Sequence, residues 1–234
     1  ALSRGYHVNG TMRDKDVVEK TKYLNALKNS ENLTLFNADM HNSASFDAAI
    51  TGTDAVFITC LIPTYKGPSG QLAKEMNYDQ GYNDIIKPTL DGCMNIMKSA
   101  HQKNLKNIVI CSSTSSTNPS PPVPLKNELE HWSDETEQCK AKKFTSAAKT
   151  VMEKAAIKFA AMNNIRLSII LPTGLYGEAI LPEHLAHNPF AWLKSVIDGN
   201  SPRHQKTPND STSMIHLEDL ANLFLAAYED PNAT

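Results

Sequence analysis

The hydrophobic positions of the chain fall into short apolar runs that alternate with longer segments of helical periodicity. The runs predict strands at 6–12, 33–36, 55–58, 108–110, 167–171 and 214–216, and the periodic segments predict helices at 16–28, 45–50, 83–102, 142–163, 190–199 and 217–228. Strands separated by helices of this length run parallel, and the helices cover both faces of the sheet. The pattern therefore predicts an α/β fold with a doubly wound parallel sheet.

Charge and hydropathy limit the partners of this chain. Its 234 residues include 23 Lys and Arg against 25 Asp and Glu, so no broad attraction to nucleic acid or to anionic lipid is encoded. No stretch approaches the roughly 20 apolar residues that a membrane-spanning helix needs. We expect a soluble protein that acts on a small molecule, with no nucleic-acid or membrane partner, as a monomer or a homodimer.

The four cysteines indicate no metal site and no disulfide framework. Cys60, Cys93, Cys111 and Cys139 lie far apart, without a Cys-x-x-Cys pair and without a histidine at zinc-ligand spacing. We interpret them as reduced thiols with structural roles. Reduced thiols favour a cytoplasmic location.

Candidate site residues follow the predicted strands directly. In an open parallel sheet, ligands bind beyond the carboxyl ends of the strands, so residues at those positions are the first to consider. These residues are Arg13, Asp39, Thr59, Cys60, Ser112, Ser113, Pro172 and Thr173. The exit at residues 111–117 is especially rich in hydroxyls, and we expect chemistry there.

Arg13 and Lys20 point to the identity of a cofactor. In a dinucleotide-binding fold, the residue after the second strand contacts the ribose of the adenosine. Arg13 holds the corresponding position, directly after a predicted strand. A guanidinium at that position favours the 2′-phosphate of NADP over the free hydroxyl of NAD, and Lys20 can reach the same phosphate. The alternative is that both cations belong to a solvated loop and helix face.

The usual glycine-rich turn of a dinucleotide-binding fold is not found. Such a turn follows the first strand, where backbone N–H groups approach the pyrophosphate, and none of the ten glycines forms it. We expect that the first strand and this turn lie in a segment before Ala1, and that the chain is also incomplete at its C-terminus. Because that strand is central in a Rossmann-type sheet, a gap or an exposed apolar groove is expected in the middle of the sheet.

Several longer motifs occur in a single order along the chain. They are VNGTMRD (8–14), NADM (37–40), DAVF (54–57), IIKPTLDGCMNIMK (85–98), KTVMEKAAIKFA (149–160), LPTGLYG (171–177) and IHLEDLA (215–221). Together they resemble the dihydroflavonol 4-reductase and cinnamoyl-CoA reductase group of extended short-chain dehydrogenases, in the NAD-dependent epimerase/dehydratase superfamily. The resemblance implies a Rossmann-type NADP-binding domain at 1–173 and a small substrate-side lobe at 174–234, of which 214–228 returns to the Rossmann core.

The resemblance also implies the chemistry, a hydride transfer between NADPH and a carbonyl or alcohol carbon that uses a Ser, a Tyr and a Lys together. Ser113 would orient the carbonyl, and Lys149 would hold the ribose hydroxyls and lower the pKa of the tyrosine. The residue four positions before Lys149, where the family has this tyrosine, is Thr145. An aliphatic hydroxyl is a much weaker acid than a phenol, so the usual proton donor is missing.

Two functions remain open from the sequence. The first is an NADP-dependent oxidoreductase acting on CH–OH donors with an active site altered at Thr145, and the second is a catalytically degenerate NADP-binding regulatory or scaffold protein. The motif at 85–98 favours the reductase branch over a nucleotide-sugar epimerase or dehydratase. A phenol from Tyr65, Tyr78, Tyr82 or Tyr176 is an alternative proton donor. The predicted cofactor-binding residues are Arg13, Lys20, Asp39, Met40, Thr59, Cys60, Lys149, Pro172 and Thr173.

Overall fold

The computed structural model describes residues 1–61, 64–181, 184–185, 190–199 and 213–233. Strands and helices alternate in it, which confirms the α/β fold. The elements in chain order are β1 (Val8–Met12), α1 (Val18–Asn25), β2 (Leu33–Asn37), α2 (Asp47–Ile50), β3 (Val56–Ile58), α3 (Tyr78–Gly81), a π-helical turn (Tyr82–Ile86), α4 (Lys87–Gln102), β4 (Asn107–Cys111), α5 (Glu135–Lys140), α6 (Phe144–Met162), β5 (Arg166–Ile170), β6 (Gly174–Tyr176), α7 (Phe190–Asp198), β7 (Met214–His216) and α8 (Leu217–Glu229). Short 3-10 turns lie at Leu2–Arg4, Ser30–Asn32, Ala73–Glu75 and Thr114–Ser116.

The named strands pair in parallel, as the crossover connections require. β1 pairs with β2, β4 lies between β3 and β5, and β6 pairs with β7. Within the described part of the chain, no ladder joins β1 to β3, so β1–β2 and β3–β4–β5 are separate groups of strands. The expected interruption of the sheet is therefore confirmed.

The main core lies between β3–β4–β5 and the helices α4 and α6. Ile108, Val109 and Ile110 of β4 are each at most 2% exposed, so both faces of this strand are covered. Ile108 and Ile110 pack in the cluster that α4 and α6 complete, whereas Val109 packs against Leu220 of α8. Side chains alternate between the faces of a strand, so this burial pattern shows helices on both sides of β4.

The start of α4 follows from Pro88. A proline lacks the N–H of an interior helical residue but fits the first turn, and α4 begins at Lys87 with Pro88 in that turn. The α-helix therefore begins four residues after the predicted start at residue 83, and the π-helical turn at Tyr82–Ile86 precedes it. Gly81 just before that turn lets the ring of Phe144 approach, because a Cβ at this position would lie 2.4 Å from the ring.

The short elements α3, α5 and β6 were not predicted. Asp134 caps the start of α5, since its side chain accepts the N–H groups of Thr136 and Glu137, and α3 begins with a capping box between Asn77 and Gln80. Helices this short are defined by their caps and show no apolar stripe. Boundaries also differ, since β1 begins two residues after the predicted start of its strand and α1 is shorter than the predicted 16–28.

The predicted substrate-side lobe is described in part. It includes residues 182–183, 186–189, 200–212 and 234, which lie outside the described residues. α8 packs on β4 and β5, whereas β6 and β7 pair with each other. The division of the chain at residue 173 stays a prediction. Among the described helices, none combines the length and the apolar character that crossing a bilayer demands.

Candidate active site

Helix α6 presents three polar side chains on one face. Thr145, Lys149 and Glu153 follow each other at intervals of four residues, which places them in a row along the helix. Lys149 is only 4% exposed, and its Nζ donates a hydrogen bond of 2.5 Å to the carbonyl oxygen of Leu61. The hydroxyl of Thr145 donates to the carbonyl oxygen of Thr64. The segment after β3 therefore contacts α6 through its main chain at both positions.

The hydroxyl-rich exit of β4 forms a turn capped by Ser113. The Oγ of Ser113 accepts the N–H of Ser115 at 3.2 Å, and Ser113 begins the 3-10 turn Thr114–Ser116. Because this bond uses the oxygen of Ser113, its hydroxyl proton can still be donated to a carbonyl group. The N–H of Thr114 donates to the carbonyl of Pro172 at 3.3 Å, which joins the turn to the exit of β5.

A polar cavity of about 510 Å³ opens beside this turn. Hydroxyl and amide groups dominate its walls, together with one cation, one carboxylate and two apolar residues of the β5 region. The lining residues are Thr114, Thr117, Asn118, Lys126, Asn127, Glu128, Ile169, Leu171, Thr173 and Ser213. Lys126 donates to Oδ1 of Asn118 at 2.5 Å. The cavity has the size and the polarity to take a small molecule with several hydrogen-bonding groups.

Burial perturbs the titratable groups around Lys149. Desolvation lowers the pKa of Lys149, and negative charge on the neighbouring Cys111, Glu153, Cys93 and Cys60 would oppose the change. Desolvation also raises the pKa of the Cys60 and Cys111 thiols, and it raises the pKa of the Cys93 thiol to about 12. The thiols are therefore neutral near pH 7, and Lys149 lies in a largely apolar setting.

The predicted phosphate-binding cations lie at the ends of other elements. Arg13, after β1, and Lys20, on α1, are both exposed. No ion pair between described residues involves either side chain. Asp39 after β2 accepts the N–H of His41 at 2.9 Å, and Met40 packs against the main core.

The predicted site residues thus form two groups. Arg13, Lys20, Asp39 and Met40 belong to β1, α1 and the exit of β2. Thr59, Cys60, Ser113, Thr145, Lys149, Pro172 and Thr173 belong to the exits of β3, β4 and β5 and to α6. In the second group, Thr145 and Lys149 donate to the main chain after β3, and Pro172 accepts the N–H of Thr114. No hydrogen bond between described residues links the two groups.

Two features of the site were missed from the sequence. The carbonyl oxygens of Leu61 and Thr64 carry no signal, because every residue has such a group. Glu153 did carry one, since it lies four residues after Lys149 on the same face of a predicted helix, and the structure buries it to 2% exposure. A carboxylate on the buried face of a helix indicates a partner or a function.

Comparisons with known proteins agree with this architecture. A family model described as NAD(P)H-binding matches residues 1–165. The chain is 31% identical to dihydroflavonol 4-reductase of Dianthus caryophyllus over 240 residues, which covers 99% of this chain and 61% of that protein. It is 31% identical to an anthocyanidin reductase of Vitis vinifera, with 97% of this chain and 68% of that protein covered. The chain thus spans about three fifths of the length of the first of these relatives.

The fold also matches solved structures. Yeast methylglyoxal/isovaleraldehyde reductase complexed with NADPH superimposes with a TM-score of 0.71 at 17% sequence identity, and the match covers 99% of this chain and 70% of that one. At this level of identity, the likeness shows the fold alone.

Proposed function

The chain belongs to the NAD(P)H-binding family and, within it, to the dihydroflavonol 4-reductase-like extended short-chain dehydrogenases, and on that premise we propose that it is an NADP-dependent reductase. The reaction is a hydride transfer between NADPH and the carbonyl or alcohol carbon of a small organic molecule. The observation that carries the proposal is the buried Lys149, which lies with the Ser113 turn at the carboxyl ends of neighbouring parallel strands, where this fold binds its ligands.

Cofactor binding is assigned to both groups of site residues. Arg13 and Lys20 hold the 2′-phosphate, and the absence of ion pairs with other described residues leaves both cations available. Asp39, Met40, Thr59, Cys60, Pro172 and Thr173 line the remaining path of the cofactor along the strand ends. Lys149 holds the ribose hydroxyls in place of its present acceptor, the carbonyl of Leu61. Bound NADPH supplies the hydride.

Substrate binding is assigned to the cavity beside the Ser113 turn. Ser113 donates a hydrogen bond to the substrate carbonyl oxygen and so polarises the carbon that receives the hydride, and the oxygen of the product takes its proton from water. Thr114 and Thr173 lie in the wall of the cavity, and its hydroxyl and amide lining favours a polar carbonyl compound. A cavity of this polarity is costly for an unsubstituted hydrocarbon chain, because its polar groups would lose their water.

Thr145 makes this reductase slow. Its hydroxyl donates to the carbonyl of Thr64, and an aliphatic hydroxyl is a poor acid even when it is free. Loss of a general acid lowers the reaction rate about 10²–10⁴-fold. Holding the two reactants in the right geometry lowers the activation barrier by about 7–11 kcal/mol, and this effect does not depend on a general acid. Hydride transfer therefore continues at a reduced rate.

The test uses the full-length protein that contains this chain. NADPH and NADH binding are measured by fluorescence titration, and turnover is then assayed with a panel of polar carbonyl compounds. We expect binding with a preference for NADPH and slow turnover. The variant Thr145→Tyr should raise kcat by about 10²–10⁴, whereas Thr145→Phe, which adds the ring without the hydroxyl, should not.

The second candidate is a catalytically degenerate NADP-binding regulatory or scaffold protein. The use of the Thr145 hydroxyl by the main chain of Thr64 favours it, because that contact is structural. NADPH binding without any wild-type turnover, with turnover gained in Thr145→Tyr, would decide for this candidate. No affinity for either nucleotide would reject both functions.

A further inference from the structure

A buried carboxylate lies beneath the Ser113 turn and has no role in the chemistry proposed above. Glu153 lies on α6 and is 2% exposed. The hydroxyl of Ser112 donates to its Oε1. The nearby hydroxyl of Ser116 also acts to lower the pKa of Glu153. A carboxylate is costly to bury without such partners, so these contacts determine where the serine turn can lie.

The two serines are the ends of the segment that presents Ser113. Ser112 precedes Ser113 and is fixed to β5 by a 2.8 Å hydrogen bond from its N–H to the carbonyl of Ile170. Ser116 ends the 3-10 turn, and its hydroxyl contacts the carbonyl oxygen of Ser113 at 2.9 Å. Glu153 therefore attaches the start of the turn to α6 through Ser112, and the Ser116 hydroxyl closes the turn on the carbonyl of Ser113.

Lys149 lies one helical turn before Glu153 on α6. Residues four apart on a helix are neighbours, and the negative charge of Glu153 opposes the effect of burial, which lowers the pKa of Lys149. Burial raises the pKa of Glu153, and the two serine hydroxyls and Lys149 oppose that rise. The titratable groups that face Lys149 are Cys60 after β3, Cys93 on α4, Cys111 on β4 and Glu153 on α6. The three thiols are neutral near pH 7, so Glu153 is the carboxyl group among these neighbours.

Resting on the proposed function, we infer that Glu153 is a positioning residue of the active site: its carboxylate holds the Ser112–Ser116 turn against α6 through Ser112 and lies one helical turn from Lys149. In this role it touches neither the substrate nor the cofactor. One side chain thus links the group that orients the carbonyl to the group that holds the cofactor ribose.

The variant Glu153→Gln separates the two tasks. It preserves the size of the side chain and an oxygen that accepts from the serines, but it removes the charge. The matched control is Glu137→Gln on α5, which removes an exposed carboxylate paired with Lys140. The readout is the pH titration of the 13Cε resonance of Lys149 in the full-length protein, identified by its loss in Lys149→Arg. This measurement needs no turnover, so it remains informative if the protein proves not to be a reductase.

We expect Lys149 to titrate about 1 pH unit lower in Glu153→Gln than in the wild type, and at the wild-type pH in Glu137→Gln. Where turnover is measurable, the alkaline limb of kcat/KM should move in the same direction. If Glu153→Gln does not fold, Glu153→Asp should give a smaller shift of the same sign. Identical titration of Lys149 in the wild type and in the folded Glu153 variant would overturn the inference.

The attachment of the turn is tested by Ser112→Ala. This variant keeps the charge of Glu153 and removes one of its hydrogen bonds. We expect kcat to fall about 10–100-fold while the KM for NADPH is unchanged, because a displaced Ser113 affects the carbonyl and leaves the cofactor site intact. An unchanged kcat would show that the turn does not depend on this contact and would overturn that part of the inference.

Discussion

The end of α8 offers a quantitative test of how the fold is held together. Arg166, the first residue of β5, donates from Nη1 to the carbonyl of Tyr228 at 3.1 Å and from Nη2 to the carbonyl of Ala227 at 2.5 Å, with a further bond to the carbonyl of Asp230. The last carbonyls of a helix lack partners within the helix, and they carry the negative end of its dipole. A single guanidinium therefore satisfies the terminus of α8 and joins it to the sheet.

The expected cost of Arg166→Met follows from these bonds. A hydrogen bond to a charged donor contributes about 1.5–3 kcal/mol, but bonds that share one side chain are not additive and the site is partly exposed. We expect the free energy of unfolding to fall by about 2–4 kcal/mol. Urea titration followed by circular dichroism measures this as a lower midpoint at an unchanged m-value.

The control is Arg4→Met, which removes the same charge next to the same helix. Arg4 pairs with Glu229 at 2.9 Å and with Asn222 at 2.9 Å, and both contacts are exposed. Exposed pairs contribute about 0–1 kcal/mol, so this variant should lose much less stability. Equal losses in the two variants would refute the reasoning, because the charge and not the capping of α8 would then account for the effect.

Three further predictions concern the cofactor, the thiols and the packing. Arg13→Gln should reduce the preference for NADPH over NADH about 10–100-fold in fluorescence titrations, and an unchanged ratio would remove Arg13 from the phosphate site. Because burial raises the pKa of Cys93 to about 12 from 9.0, native Cys93 should resist iodoacetamide at pH 9 while the unfolded chain reacts, and alkylation of the native protein at pH 9 would contradict this burial. The same pKa shift makes the free energy of unfolding fall as the pH rises from 9.0 towards 12. Gly81→Ala should lower the free energy of unfolding by about 1–3 kcal/mol, since its Cβ would lie 2.4 Å from the ring of Phe144, and an unchanged melting temperature would contradict this packing.

The strands and the long helices were predictable because their buried faces require hydrophobic residues at regular intervals along the sequence. The run Ile108–Ile110 has no polar residue, and the structure covers it on both faces, as a central parallel strand requires. The predicted helix at 83–102 begins as α4 only at Lys87, since a proline such as Pro88 is tolerated in the first turn and disrupts an interior one. The helices α3 and α5 were missed because their caps and tertiary contacts, and not an apolar stripe, define them.

The candidate site was predictable where a side chain follows a strand and unpredictable where the main chain supplies the contact. Ser113 and Thr173 follow β4 and β5, and the hydrogen bond from Thr114 to Pro172 joins the two exits at one edge of the sheet. The acceptors of Thr145 and Lys149 are carbonyl oxygens, whose positions depend on the path of the segment after β3. Such a path follows from the packing of the whole domain and leaves no pattern in the sequence.

The geometry of α6 explains why the exchange at position 145 does not remove the rest of the site. Thr145, Lys149 and Glu153 lie one turn apart and contact different parts of the molecule: the main chain at Thr64, the main chain at Leu61 and the serine turn. A change at Thr145 alters its own contact and leaves Lys149 and Glu153 anchored by theirs. Because these anchors are independent of a phenol, Lys149 and Ser113 keep their positions, and Thr145→Tyr is enough to test the proposal that the site lacks a proton donor.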